Sequence, residues 1–186
     1  MTDEKIIRDS VYGNIRVADL FLELLHRPEL QRLHGIRQLG LTYLVYPGAN
    51  HTRMEHSLGT CHVARRMAKA LDIAPEEHTS VAVAALLHDI GHGPFSHTLE
   101  RLLHQATGKD HVELTRELIA GTRTLEDVDV ELLPALLERH DIKPADIVAI
   151  LSGQRGHLSD IIHGPIDADQ IDYLRRDAHY TGVAYG

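Results

Sequence analysis

Leu86-Leu87-His88-Asp89-Ile90-Gly91-His92-Gly93-Pro94-Phe95-Ser96-His97 is the stretch that decides the reading of this chain. It closes the apolar run Val81-Ala82-Val83-Ala84-Ala85-Leu86-Leu87, which reads as a buried helix. A Gly-rich turn carrying His92 and His97 follows. A favourable cationic side chain at a helix C-terminus accounts for His88, but not for Asp89 with two more imidazoles behind it. His and Asp are ligand types for a divalent metal, and Gly91 and Gly93 let the backbone turn closely around whatever sits there. One His-Asp pair cannot complete a coordination shell, so the remaining ligands must come from elsewhere in the chain.

Around this stretch the chain reads as one all-α domain over residues 1–186, with at most a small hairpin. Tyr12-Gly13-Asn14 is a turn between two short strands. Residues 17–25 show helical spacing, broken at Arg27-Pro28, and Pro28 opens a second helix carrying Leu30, Leu33 and Ile36. Residues 41–46, aromatic and β-branched, are the best strand candidate. Thr52-Arg53-Met54-Glu55 is a capping-box pattern that starts a helix reaching to about Leu71, which puts His56 in a first turn. Pro75 begins the helix that delivers His88. The next begins at Ser96 or His97, with Leu99, Leu102 and Leu103 inward, and stops at Gly108. Asp110-His111-Val112-Glu113 repeats the capping logic up to Gly121, and 124–129 is an acidic connection. Residues 131–140 and 144–151 read as helices, 154–157 as a polar, mobile loop. Asp167-Ala168-Asp169-Gln170 opens a last helix to about His179, and 182–186 reads as a loop leading on, as in a minimal or C-terminally truncated domain.

Composition limits the function. With 19 Lys and Arg against 27 Asp and Glu, the net charge of −8 opposes an extensive nucleic-acid surface, which needs clustered cations. The single cysteine, Cys61, allows neither an intrachain disulfide nor a thiolate zinc site, and its helical surroundings suit a small buried side chain. No apolar run approaches a membrane span and the N-terminus lacks a signal region, so the expected location is cytoplasmic, with no membrane partner. Fifteen histidines are more than a core needs.

The last helix carries Asp169, Tyr173 and Asp177 at i, i+4 and i+8, placing two carboxylates and a phenol on one stripe. A solvated acidic face paired with Arg175 and Arg176 would satisfy the same spacing, with Ile171 and Leu174 supplying apolar contacts. Taken together, His56, His88-Asp89 and Asp169 make two imidazoles and two carboxylates from separate helix ends. That set suits a hydrolytic divalent metal.

The order His56 … His88-Asp89 … Asp169 resembles the HD-domain metal-dependent phosphohydrolases. Four blocks narrow the resemblance to the deoxynucleoside triphosphate triphosphohydrolase branch, which holds bacterial dGTPases and the sterile-alpha-motif/HD enzyme of vertebrates. They are Gln31-Arg32-Leu33 with Gln38-Leu39-Gly40, Tyr46-Pro47-Gly48-Ala49 with the run from Thr52 to Gly59, His88 to His97, and Asp167 to Tyr173. The resemblance implies an HD helical bundle in which His56, His88, Asp89 and Asp169 hold a divalent metal (Mn, Fe, Ni, Zn, Co or Mg). It implies attack by activated water on the α-phosphorus, releasing deoxynucleoside and tripolyphosphate. His92, His97 and His111 become phosphate-lining and acid/base histidines, a task that suits a pKa near working pH. Arg53 clamps phosphate, Gln38 lies near the 3′-hydroxyl, Tyr173 and Asp177 line the sugar and phosphate side, and Tyr173 crowds a 2′-hydroxyl. A nucleotide substrate and a homo-oligomer are the implied partners.

Two positions depart from the family pattern. Val112 follows His111 where the family often has Glu, moving the acid to Glu113 or losing it, and neutral Gln170 stands where the vertebrate enzyme has lysine. An HD phosphohydrolase acting on another phosphate ester, and a non-catalytic nucleotide-binding domain, are therefore also compatible with the sequence.

Overall fold

The computed structural model describes residues 4–125 and 131–184, without the side chains of Ser96, His97 and Thr98. The architecture is all-α apart from one hairpin. Strands β1 (Glu4–Asp9) and β2 (Gly13–Ala18) pair antiparallel, Asp9 facing Gly13. The turn forms because the Asp9 carboxylate accepts the amides of Val11 and Tyr12, both at 2.8 Å, and Gly13 takes φ +78°.

Helices α1 (Asp19–Leu25) and α2 (Pro28–Gln31) follow, then 3₁₀ turns at Arg32–Gly35 and Thr42–Leu44. The long α3 (Arg53–Ala70) packs along both α4 (Pro75–Leu87) and α10 (Ala168–Thr181). Between α4 and α10 come α5 (Ser96–Thr107), α6 (His111–Ala120), α7 (Leu133–Arg139), α8 (Pro144–Leu151) and α9 (His157–His163). Every residue of the run from Val81 to Leu87 is buried, so this second half of α4 is the central rod, enclosed on all sides. Among the described residues, no helix is long and apolar enough to cross a membrane.

Four expectations need correction. Residues 41–46 form a 3₁₀ turn instead of a strand. Among the described residues no strand lies alongside to pair with, and the backbone bonds close locally, as in Thr42 N–H to Leu39 and Tyr46 N–H to Thr42. Leu44 and Val45 are exposed, and the Arg37 guanidinium covers the Tyr43 ring at 4.2 Å. On α5, Leu99 and Leu102 lie on the surface, not inward; helical periodicity shows which residues share a face, not whether anything packs on it. On α10, Leu174 is exposed and Arg176 pairs inward with Asp172 and Asp9, not with the Asp169–Asp177 stripe. The fourth is an omission: α9 begins at His157, inside the stretch 154–157 expected as a loop, and buries Leu158, Ile161 and Ile162, an i, i+3, i+4 pattern short enough to miss. That loop carries Arg155, paired with Asp146 at 2.8 Å. Most of the acidic connection at 124–129 lies outside the described residues.

Candidate metal centre and adjoining cavity

Three helix ends build the centre. The capping box at the start of α3 forms as its sequence predicts: Thr52 N–H donates to Glu55 Oε2 at 2.7 Å and Glu55 N–H to Thr52 Oγ1 at 3.4 Å. This puts buried His56 one turn in. At the end of α4 the chain leaves the helix through His88 and Asp89. At the start of α10, Asp167 caps Gln170 N–H at 2.7 Å, and Asp169 follows in the first turn.

His56, His88 and Asp169 each bring one ligand atom into a group whose members lie within 4.8 Å of one another. His56 Nε2 is 2.9 Å and His88 Nε2 3.6 Å from Asp169 Oδ1. Asp89 stands at their side. Its Oδ1 is 3.3 Å from His88 Nε2, while its Oδ2 is taken by Arg53 Nη1 at 2.5 Å.

The donor chemistry fits a divalent cation. His88 Nδ1 donates to the Ala85 carbonyl at 2.8 Å, which leaves the ring's lone pair on Nε2 in the neutral form. That Nε2 is buried and has no hydrogen-bond partner among the described residues. His56 is oriented the same way, with Nδ1 2.8 Å from Asp172 Oδ2 and Nε2 facing the same point. Positive charge is also what the site calls for. Burial works against a cationic His56, yet its hydrogen bonds to Asp169 and Asp172 push it up to about 10. Burial raises the carboxyl pKa values of Asp89 and Asp169, but the imidazoles facing both, together with Arg53 beside Asp89, more than reverse this, and both stay ionised. A metal binding here would displace protons.

Beside the centre lies a cavity of about 330 Å³ lined by Gln38, Leu39, Arg53, His56, Asp89, His92, His111, Asp169, Tyr173 and Asp177. Of the eleven residues singled out from the sequence, nine line it. His88 sits behind them in the metal group, and the His97 side chain lies outside the described residues. Gln38 Oε1 is buried without a hydrogen bond among the described residues. His92 stacks on His111, ring centroids 3.8 Å apart, with its Nε2 3.4 Å from Asp89 Oδ1. Burial pushes His92 down to about 4, so it is a neutral imidazole at ordinary pH. Gly91 makes this stack possible: a side chain there would overlap the His111 carbonyl and the Thr115 amide. The close approach that glycine permits is therefore to α6. Gly91 N–H donates to Thr115 Oγ1 at 2.9 Å, and that hydroxyl donates to the His88 carbonyl at 3.2 Å.

Three site neighbours escaped sequence reasoning. Glu100 on α5 pairs with His111 Nδ1, while Glu113 is occupied by the α6 capping box. An acid at Glu100 shares no sequence spacing with His111 and could not be read from it. His51, fully buried, pairs with Asp177 at 2.9 Å and stacks on Tyr180. Asp172 lies three residues after Asp169, where only the helical phase hinted at an inward carboxylate.

The HD domain family model matches residues 53–177, the part of the chain that carries all four His and Asp residues expected as ligands. The uncharacterized protein YwfO of Bacillus subtilis is 39% identical over 100% of this chain and 42% of its own length. A Dictyostelium discoideum homolog of the deoxynucleoside triphosphate triphosphohydrolase SAMHD1 is 31% identical, over 96% and 37%. The crystal structure of a phosphohydrolase from Bacteroides thetaiotaomicron superposes with a TM-score of 0.79 at 34% identity, covering 97% of this chain and 43% of that one. The chain thus spans well under half the length of these three proteins. The family match falls on the helices that bring His56, His88-Asp89 and Asp169 to one point, and the chain belongs to the HD domain family.

Proposed function

We propose that the chain is the hydrolytic domain of a metal-dependent deoxynucleoside triphosphate triphosphohydrolase, releasing deoxynucleoside and tripolyphosphate. The observation that carries this reading is the single cavity in which a His/Asp metal group, a buried arginine, a stacked histidine pair and a Tyr–Asp stripe meet. The SAMHD1-type relatives support the substrate class. His56, His88, Asp89 and Asp169 would hold the divalent cation, which when bound supplies Lewis acidity toward a phosphoryl oxygen and lowers the pKa of water.

The chain's own groups perform the other tasks. The Ala85 carbonyl and Asp172 keep both ligand imidazoles in one tautomer. Arg53, buried and braced by Asp89, presents charge to the phosphates. His111, backed by Glu100, carries the proton for the leaving 5′-oxygen, and neutral His92 holds the ring stack in place. Tyr173, Asp177 and Gln38 face the sugar, with Tyr173 excluding a 2′-hydroxyl by contact.

One observation favours a second reading, hydrolysis of a smaller phosphate ester. Arg53 is already paired with Asp89, and Gln170 is neutral, so the cavity offers little fixed positive charge for a triphosphate. Product analysis separates the two. The chain supplied with Mn²⁺ and a nucleotide panel is expected to yield tripolyphosphate. Inorganic phosphate would replace the first reading by the second, and absence of any product would overturn both.

A further inference from the structure

The two most buried charged side chains of α10 do not face the cavity. Asp172 and Arg176 lie inside the fold, each with a side chain 0% exposed. Arg176 Nε and Nη2 grip both oxygens of Asp172 at 2.9 Å, and Nη1 reaches Asp9 Oδ2 at 2.9 Å, across 167 residues of chain. Asp172 Oδ2 in turn accepts from His56 Nδ1 at 2.8 Å. Asp9 is itself held rigidly, because its other oxygen caps the hairpin turn. The four side chains form one buried line from the hairpin turn: carboxylate, guanidinium, carboxylate, imidazole. Gly59 on α3 leaves the space for it, since a side chain there would overlap both Asp172 and Arg176. The hairpin lies outside the stretch matched by the HD domain model.

We propose that Asp9 is a remote positioning residue of the metal centre, acting through Arg176 and Asp172 to hold His56 with its proton on Nδ1 and its Nε2 lone pair toward the metal. A guanidinium has a planar fork, and it fixes the Asp172 carboxylate only while its own remaining edge is held. Asp9 holds that edge. With Asp9 neutral or shortened, the Arg176–Asp172 pair gains freedom to rotate, and the imidazole loses its fixed acceptor. The inference rests on the reading of His56 as a metal ligand.

The test uses the full chain and Zn²⁺ alone as probe, titrated against a chromogenic chelator, with the melting temperature of each metal-free variant measured in parallel. Asp9→Asn keeps one oxygen for the turn amides but turns an NH2 donor toward the Arg176 guanidinium, so both the charge and the acceptor that Arg176 uses are removed. Asp9→Ser keeps the turn acceptor and drops the reach to Arg176. Zinc affinity is expected to fall roughly 10–100-fold in both variants, the range for partners behind a ligand. ¹⁵N NMR of the zinc-loaded parent chain is expected to show the His56 proton on Nδ1. A proton on Nε2 overturns the proposal even if neither variant folds. Lowered melting with zinc affinity unchanged would make Asp9 a merely structural residue. A His56→Gln variant that binds zinc as tightly as the parent would instead remove the ligand reading beneath the proposal.

Discussion

Glu100 and His111 meet across the gap between α5 and α6, carboxylate against Nδ1, with the far face of the His111 ring stacked on His92. The pairing gives the imidazole a fixed orientation and a counter-charge, the arrangement expected of a general acid. His111→Ala is expected to lower kcat by roughly 10²–10⁴-fold while metal content stays at the parent level. Glu100→Gln should produce a smaller loss in kcat with KM little changed. Steady-state kinetics with metal analysis checks both, and unchanged turnover in His111→Ala would move the role to another histidine.

Asp169 Oδ1 faces Nε2 of both His56 and His88, at 2.9 and 3.6 Å. Asp169→Asn keeps its shape and removes its charge. Metal retention is expected to be lost, with far-UV circular dichroism unchanged, since α10 is capped by Asp167 and not by Asp169. A fully loaded Asp169→Asn protein would take this residue out of the ligand set.

Metal binding should stabilise the fold, because the ion binds a group assembled from three helices that the unfolded chain does not hold together. A divalent ion at about a hundred times its dissociation constant adds about 2.7 kcal/mol. Thermal melts with and without chelator measure this. The metal-dependent rise should disappear in Asp169→Asn, and a rise that persists there would place the ion elsewhere.

Gly91→Ala places a methyl group against the His111 carbonyl and the Thr115 amide. Overpacking of this kind costs about 1–3 kcal/mol, and in a chain of this size each kcal/mol lowers the melting temperature by about 2–4 °C. Activity should fall more than stability, because relief of the clash separates His92 from His111. A melting temperature and kcat both equal to the parent's would refute the close-approach role.

Tyr173 and Asp177 line the side of the cavity assigned to the sugar. A preference for dATP over ATP is expected in the parent and should shrink in Tyr173→Ala. Equal turnover of the two nucleotides by the parent would remove Tyr173 from sugar selection.

Much of the site was legible in the sequence because its parts sit at helix ends, and helix ends carry local signals. The capping boxes at Thr52 and Asp110 and the Asp167 cap all form as their residues predict, which fixed the phase of His56, His111 and Asp169 along their helices. The apolar run into His88-Asp89 located the third piece, and Tyr12-Gly13-Asn14 marked the hairpin turn. These are short-range interactions, settled within a few residues.

Tertiary structure alone decided everything that depends on which surfaces meet. It gave residues 41–46 local 3₁₀ bonds in place of a strand, and left Leu99 and Leu102 exposed on α5. It chose Glu100 over Glu113 as the acid beside His111, and drew Arg176 inward to join Asp9 to Asp172. A local pattern records where a side chain points relative to its own helix. The partner it finds there is set by chain segments dozens of residues away, whose approach is determined by packing around α4.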